Sequence, residues 1–109
     1  MEIYQLPDLK ASQQAGGKQW FEFIRHESLS AGLYVIPAGG VDPQQPHTED
    51  EMYYVISGRG KFFCGGQEAD VTAGTTLFVA KGVEHRFHDI AEELVIMVFF
   101  APPEGSQSQ

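Results

Sequence analysis

The stretch QPHTEDEMYYVISGRG, residues 45–60, decides the fold. Polar and charged residues from His47 to Glu51 run straight into the aromatic, strand-like MYYVIS. If the segment is extended from its start, period-two alternation puts Gln45, His47, Glu49 and Glu51 on one face. Carboxylates aimed into an apolar interior need a partner, because burying an uncompensated charge is very costly. A divalent cation would supply one. Imidazole nitrogen with carboxylate oxygen is a common donor set for zinc, iron, manganese or nickel. Alternation alone does not choose between Glu49 and Glu51.

The surrounding chain reads as strands. Short runs rich in Val, Ile, Phe and Tyr recur at 20–26, 31–37, 52–57, 61–64, 76–80, 85–90 and 94–100. Gly39-Gly40, Gly58-Arg59-Gly60, Gly65-Gly66, Gly74 and Gly82 separate them as turn signals. KFFC-GG-QEADV reads as a hairpin with a two-glycine turn. Helical periodicity is confined to LPDLKASQQ (6–14), with Asp8 as a possible cap. The expectation is an all-β sandwich or barrel, one domain over 1–109. The last strand, LVIMVFF, is apolar on both faces, so its outer face should meet a second sheet or a partner subunit, and a homodimer is expected. The end, 102–109, has the composition of a disordered tail.

Composition narrows the function classes. Seven basic against 15 acidic residues give a net charge of −8, which disfavours nucleic acid and anionic membrane surfaces. A single cysteine, Cys64, allows no intramolecular disulfide and reads as a small core residue. The N-terminus MEIYQLPDLK lacks the basic start and apolar run of a secretory signal, so a cytoplasmic location is expected.

A second segment complements the first. GTTLFVAKGVEHRFHDI, residues 74–90, places His85 after a Gly82 turn and at the head of a strand, with its ring expected at the barrel mouth. Together the two segments resemble the cupin family, a small jelly-roll barrel. The family's first motif has Gly, five residues, His-x-His, three or four residues, Glu, six residues and Gly. Here Gly40 leads one residue more closely than that spacing, Gln45-Pro46-His47 stands for His-x-His, and Glu51-x6-Gly58 matches fully. The second motif, Gly-x5-Pro-x-Gly-x2-His-x3-Asn, is matched by Gly74, Gly82 and His85, with Ala80 for Pro and Asp89 for Asn. The resemblance covers roughly residues 20–100.

The resemblance implies a double-stranded β-helix holding a divalent transition metal (Zn, Fe, Mn or Ni) on His47, Glu51 and His85. Gln45 replaces the first motif histidine. Phosphomannose isomerases of the wider superfamily use a Gln-x-His pair on zinc, so Gln45 is a fourth ligand or an orienting group. A harder, neutral amide oxygen tilts preference away from copper and nickel. The implied function is metal-dependent chemistry on a small organic molecule in the barrel, of isomerase or dioxygenase type. The alternatives are a non-catalytic ligand-binding module and a metal-free structural dimer. Tyr53 shares parity with Glu51 and is the candidate acid or base. Phe87 shares parity with His85 and walls the cavity. Thr48, Glu49 and Asp50 are expected at a solvated rim. His26, His88 and Arg59 are expected at the surface without a role.

Overall fold

The computed structural model describes residues 1–43 and 46–107. One helix, α1 (Leu6–Gly16), precedes six strands: β1 (Trp20–Arg25), β2 (Ser30–Ile36), β3 (Asp50–Cys64), β4 (Gln67–Thr72), β5 (Thr76–Val79) and β6 (His85–Ala101). All pairings are antiparallel, in the order β1-β2-β6-β3-β4, with β5 also on β3. This is the all-β, jelly-roll cupin architecture that the two motifs lead one to expect.

Two long strands organise it. The first half of β3 pairs with β5 and the end of β6, and its second half pairs with β4 and the start of β6. The expected turn at Gly58-Arg59-Gly60 is therefore absent, and 52–57 and 61–64 belong to one strand. Likewise 85–90 and 94–100 are one strand, β6. The glycine has a different purpose. Gly58 has φ 99°, and a Cβ there would sit 2.0 Å from the Glu93 carbonyl oxygen. It lets β6 approach where register shifts interrupt the ladder between Val55 and Lys61. Such bulges bend a strand, which lets one strand serve two parts of a barrel. The two-residue hairpin at Gly65-Gly66 forms as expected, with Cys64 opposite Gln67. Asp89, in place of the motif Asn, takes φ 47°, a conformation Asp and Asn tolerate better than most residues.

The barrel interior is filled by alternate residues of five strands, including Ile36, Val55, Phe62, Val71, Val79, Phe87, Ile96 and Val98. Each fully buried large apolar side chain contributes about 2 kcal/mol. A second cluster lies on the opposite face of β2 and β6, where Leu33, Val35 and Val95 pack under Leu9 of α1. The outer face of LVIMVFF is thus covered by a helix at Val95, not by a second sheet, while Phe99 stays 41% exposed. Asp8 is not the helix cap: Gln5 holds that position, and Asp8 sits in the first turn, where a carboxylate complements the helix dipole.

Of the tail 102–109, residues 108–109 lie outside the described residues, which leaves the stretch 102–107. It forms turns and is tied down by Glu104 N–H to Ser30 Oγ and Arg25 Nη2 to the Glu104 carbonyl, each 2.9 Å. Its main anchor is Glu49. That carboxylate is 2% exposed and accepts the Gly105 and Gln107 amides at 2.8 and 3.1 Å, besides the Thr48 hydroxyl. Glu49 is thus a buried anchor, not a solvated rim residue.

Burial pushes the Glu49 carboxyl up, but the Thr48 hydroxyl and the two amides outweigh it and hold Glu49 below the usual carboxylate range. A depressed folded-state value gives stability that is complete above the unfolded-state value and lost as pH falls through the folded one. The tail should therefore loosen on acidification below about pH 4.5. The protection factors of the Gly105 and Gln107 amides, taken relative to intrinsic exchange at each pH, should fall there, and Glu49→Gln should flatten that dependence. Protection factors that do not change with pH in the parent protein would refute the role.

Candidate metal centre

Three side chains named from the motifs meet. One ligand atom from each of His47, Glu51 and His85 lies within 4.8 Å of the others. The backbone explains the meeting. Thr48 and Glu49 form a bend before β3 starts at Asp50, so period-two alternation does not extend back to His47. The bend turns His47 toward Glu51 and sends Glu49 to the tail. Two bonds then fasten this loop to the turn ahead of His85. Gly82 N–H donates to the His47 carbonyl at 2.7 Å, and Lys81 N–H to Asp50 Oδ1 at 3.0 Å. Gln45 lies outside the described residues.

His85 Nε2 stands 3.0 Å from Glu51 Oε1, and His47 Nε2 is 3.8 Å from the same oxygen. Among the described residues, neither Glu51 oxygen nor His85 Nε2 makes a well-aligned hydrogen bond, although all three atoms are buried. The other nitrogen of His85, Nδ1, lies 2.8 Å from the Val83 carbonyl, which can only accept. His85 itself is 3% exposed, behind Glu51 and against Tyr53 and Phe62, so its ring is interior and not at the mouth.

The two imidazoles are pushed in opposite directions. Burial lowers His85, but Glu51 and the Val83 carbonyl outweigh it and leave His85 raised. Burial lowers His47, and His85 lowers it further, against the pull of Glu51.

A cavity of about 480 Å³ opens onto His47 and Glu51. Its walls are Trp20, Tyr34, Tyr53, Val98 and Phe100, with Lys18, Gln19 and Glu104 also bordering it. Trp20 stands edge-on to Tyr34 and Phe100 at 6.2 and 6.1 Å, and His47 stands edge-on to Phe100 at 4.8 Å. Trp20 fits because Gly32 has no side chain: a Cβ there would lie 2.2 Å from the indole. Tyr53 borders the cavity with its ring held against Phe62 and Phe87. Phe87, 1% exposed, packs the core there.

Several contributors carry no local sequence signal. Tyr34 donates to Asp42 at 2.5 Å, and Asp42, 6% exposed, also accepts the Phe87 amide at 2.9 Å. Glu104 comes from the tail, its Oε2 3.7 Å from His47 Nδ1. Burial, then the carboxylates of Glu51, Glu22 and Glu49, raise Glu104. The surface residues pair off: His26 with Glu2, His88 with Glu68, and Arg59 with Glu92. Cys64 is partly buried, and burial raises its thiol. Among the described residues, no helix is long and apolar enough to cross a membrane.

Comparison with known proteins agrees with this architecture. An uncharacterized protein of Streptomyces coelicolor is 39% identical over 105 residues, covering 96% of this chain and all of that one. The crystal structure of TT1209 from Thermus thermophilus superposes with a TM-score of 0.74 at 24% identity, over 94% of this chain and 99% of the other. The Cnp3 cupin domain of Schizosaccharomyces pombe superposes at 0.69 with 16% identity, over 76% of this chain, which spans only 63% of that one. Residues 32–100, from β2 to the end of β6, match the family described as the cupin domain. That match takes in most of the barrel, and the chain belongs to the cupin family.

Proposed function

We propose that the protein binds one divalent transition metal (zinc, iron, manganese or nickel) through His47, Glu51 and His85, and holds a small organic molecule beside it in the cavity. The supporting observation is the orientation of His85. Its Nδ1 donates to the Val83 carbonyl, so Nε2 turns a lone pair toward Glu51 Oε1, 3.0 Å away. Two acceptors so close repel unless a cation stands between them. A proton on Nε2 relieves one contact, and a metal relieves all three residues at once. Bound there, the metal would act as a Lewis acid or an oxygen-activating centre. Gln45 is the proposed fourth ligand or orienting group.

Elemental analysis of protein purified without chelator tests this. At least one transition metal should be present or restored on reconstitution, and His47→Ala and His85→Ala should each lose most of it. Less than about a tenth of an equivalent, unrecovered on reconstitution, would sink the reading. Acid should also weaken binding. A raised His85 holds its proton against the metal to a higher pH than a free imidazole would, so affinity should fall on acidification and binding should release protons. Calorimetry in buffers of different ionisation enthalpy measures that release, and a flat profile would exclude His85 as ligand.

Binding without turnover is the second reading, and one observation favours it. Burial, and then Asp42, raise the Tyr34 phenol far above its ordinary value, which makes it a poor proton donor. Tyr53, the candidate acid or base, would then carry an enzymatic role. Turnover abolished by Tyr53→Phe would favour the enzyme, and calorimetric binding with no product would favour the module.

A homodimer fits the same barrel. Met52 on β3 registers with Phe78 on one side and Phe99 on the other, and all three are exposed, as is Tyr54. Such a row is a natural contact for a second copy. Light scattering should give twice the chain mass, and Phe78→Glu should halve it. A monomer at high concentration in the parent protein would count against it.

A further inference from the structure

The wall facing the proposed metal carries a hydrogen-bond direction of its own. Asp42 Oδ2 accepts the Phe87 amide at 2.9 Å, and its Oδ1 receives the Tyr34 hydroxyl at 2.5 Å. Asp42 is 6% exposed and Tyr34 is equally buried, so this is a fixed interior pair. A phenol has one proton to give. With that proton committed to Asp42, the Tyr34 oxygen has only lone pairs left for the cavity. The Gln19 amide reaches it at 3.5 Å, the outer limit of a hydrogen bond, and that same amide donates to the Val41 carbonyl at 3.3 Å. A ligand donor would take this acceptor without breaking a strong bond.

We propose that Tyr34, oriented by Asp42, is a specificity-determining acceptor that selects ligands bearing a hydroxyl group. Trp20, Phe100 and Val98 enclose an apolar body between that acceptor and the His47–Glu51–His85 cluster. The ligand class is a small, flat hydroxy acid, with its hydroxyl at Tyr34 and its carboxylate at the metal. The carboxylate end rests on the metal reading above, since Glu51 would repel it otherwise. The hydroxyl end does not.

Three probes separate these parts: benzoate, 4-hydroxybenzoate and 4-methoxybenzoate, titrated by calorimetry into zinc-loaded and metal-free protein. In the parent protein 4-hydroxybenzoate should bind roughly tenfold more tightly than the other two, the value of one hydrogen bond. Tyr34→Phe should erase that difference while melting as a folded protein. Asp42→Asn supplies a sharper readout. Its single amide oxygen stays on the Phe87 amide, its NH2 faces the Tyr34 oxygen, and the phenol proton turns into the cavity. The advantage of 4-hydroxybenzoate over 4-methoxybenzoate should then disappear, since both oxygens can accept from the Tyr34 hydroxyl, and benzoate alone should bind more weakly. A hydroxyl preference that survives Tyr34→Phe, an equal loss for all three probes in that variant, or no binding by any probe would overturn the assignment. If each probe binds as tightly without zinc as with it, the metal reading fails, and the difference between the probes still tests Tyr34.

Discussion

Replacing Glu51 with glutamine should make the metal-free protein more stable while removing its response to metal. Glu51 is 2% exposed, and neither of its oxygens makes a well-aligned hydrogen bond among the described residues. A buried carboxylate in that position costs more than the uncharged amide of the same shape. The amide can also donate to His85 Nε2, which faces that side chain. The gain should be about 1–3 kcal/mol at alkaline pH, where His85 has released its proton. It should shrink on acidification, because a raised His85 keeps its proton and becomes a cationic partner for the native carboxylate. Metal should raise the melting temperature of the parent protein and leave the variant unmoved, with affinity lower by about 100-fold or more. Paired denaturant titrations with and without zinc measure both quantities. A variant less stable than the metal-free parent at alkaline pH would mean that Glu51 has a structural purpose instead.

The second large effect belongs to Gly58. Its φ of 99° is one that residues with a Cβ rarely adopt, and the missing Cβ would meet the Glu93 carbonyl at 2.0 Å. The obstacle is backbone, which cannot rotate away like a side chain. Gly58→Ala should therefore cost about 3 kcal/mol, a drop of roughly 15 °C in melting temperature for a domain of this size. The bend of β3 ties the ligand-bearing end to the β4 hairpin, so the variant should also bind metal less tightly. A loss under about 1 kcal/mol would show that β6 can slide past this point.

The parts legible in sequence are those governed by spacing within one turn or strand. Gly82 three residues ahead of His85, and Glu51 seven ahead of Gly58, carried both the barrel and the cluster. What eluded the sequence depends on distant chain. Glu49 reads as a rim residue because its partners, Gly105 and Gln107, lie more than fifty positions away. The same bend that broke alternation at Thr48 and Glu49 delivered His47 to the site. Gly58 to Gly60 has a turn's composition, yet the neighbouring strand and not the local chain decides its use. Tyr34 and Asp42 are unremarkable letters until β2 and β6 bring them to one wall.

The strap from Pro102 to Gln107 has a practical consequence for measuring metal. It is fastened to Glu49, two residues from one candidate ligand and two from another, and it carries Glu104 to the cavity wall. Glu104 lies only a few residues from the C-terminus in sequence. A polyhistidine purification tag fused at this end would supply imidazole ligands of its own and inflate the metal count. Once the tag is cleaved those imidazoles are gone, so metal content compared before and after cleavage separates any ion held by His47, Glu51 and His85 from the tag's.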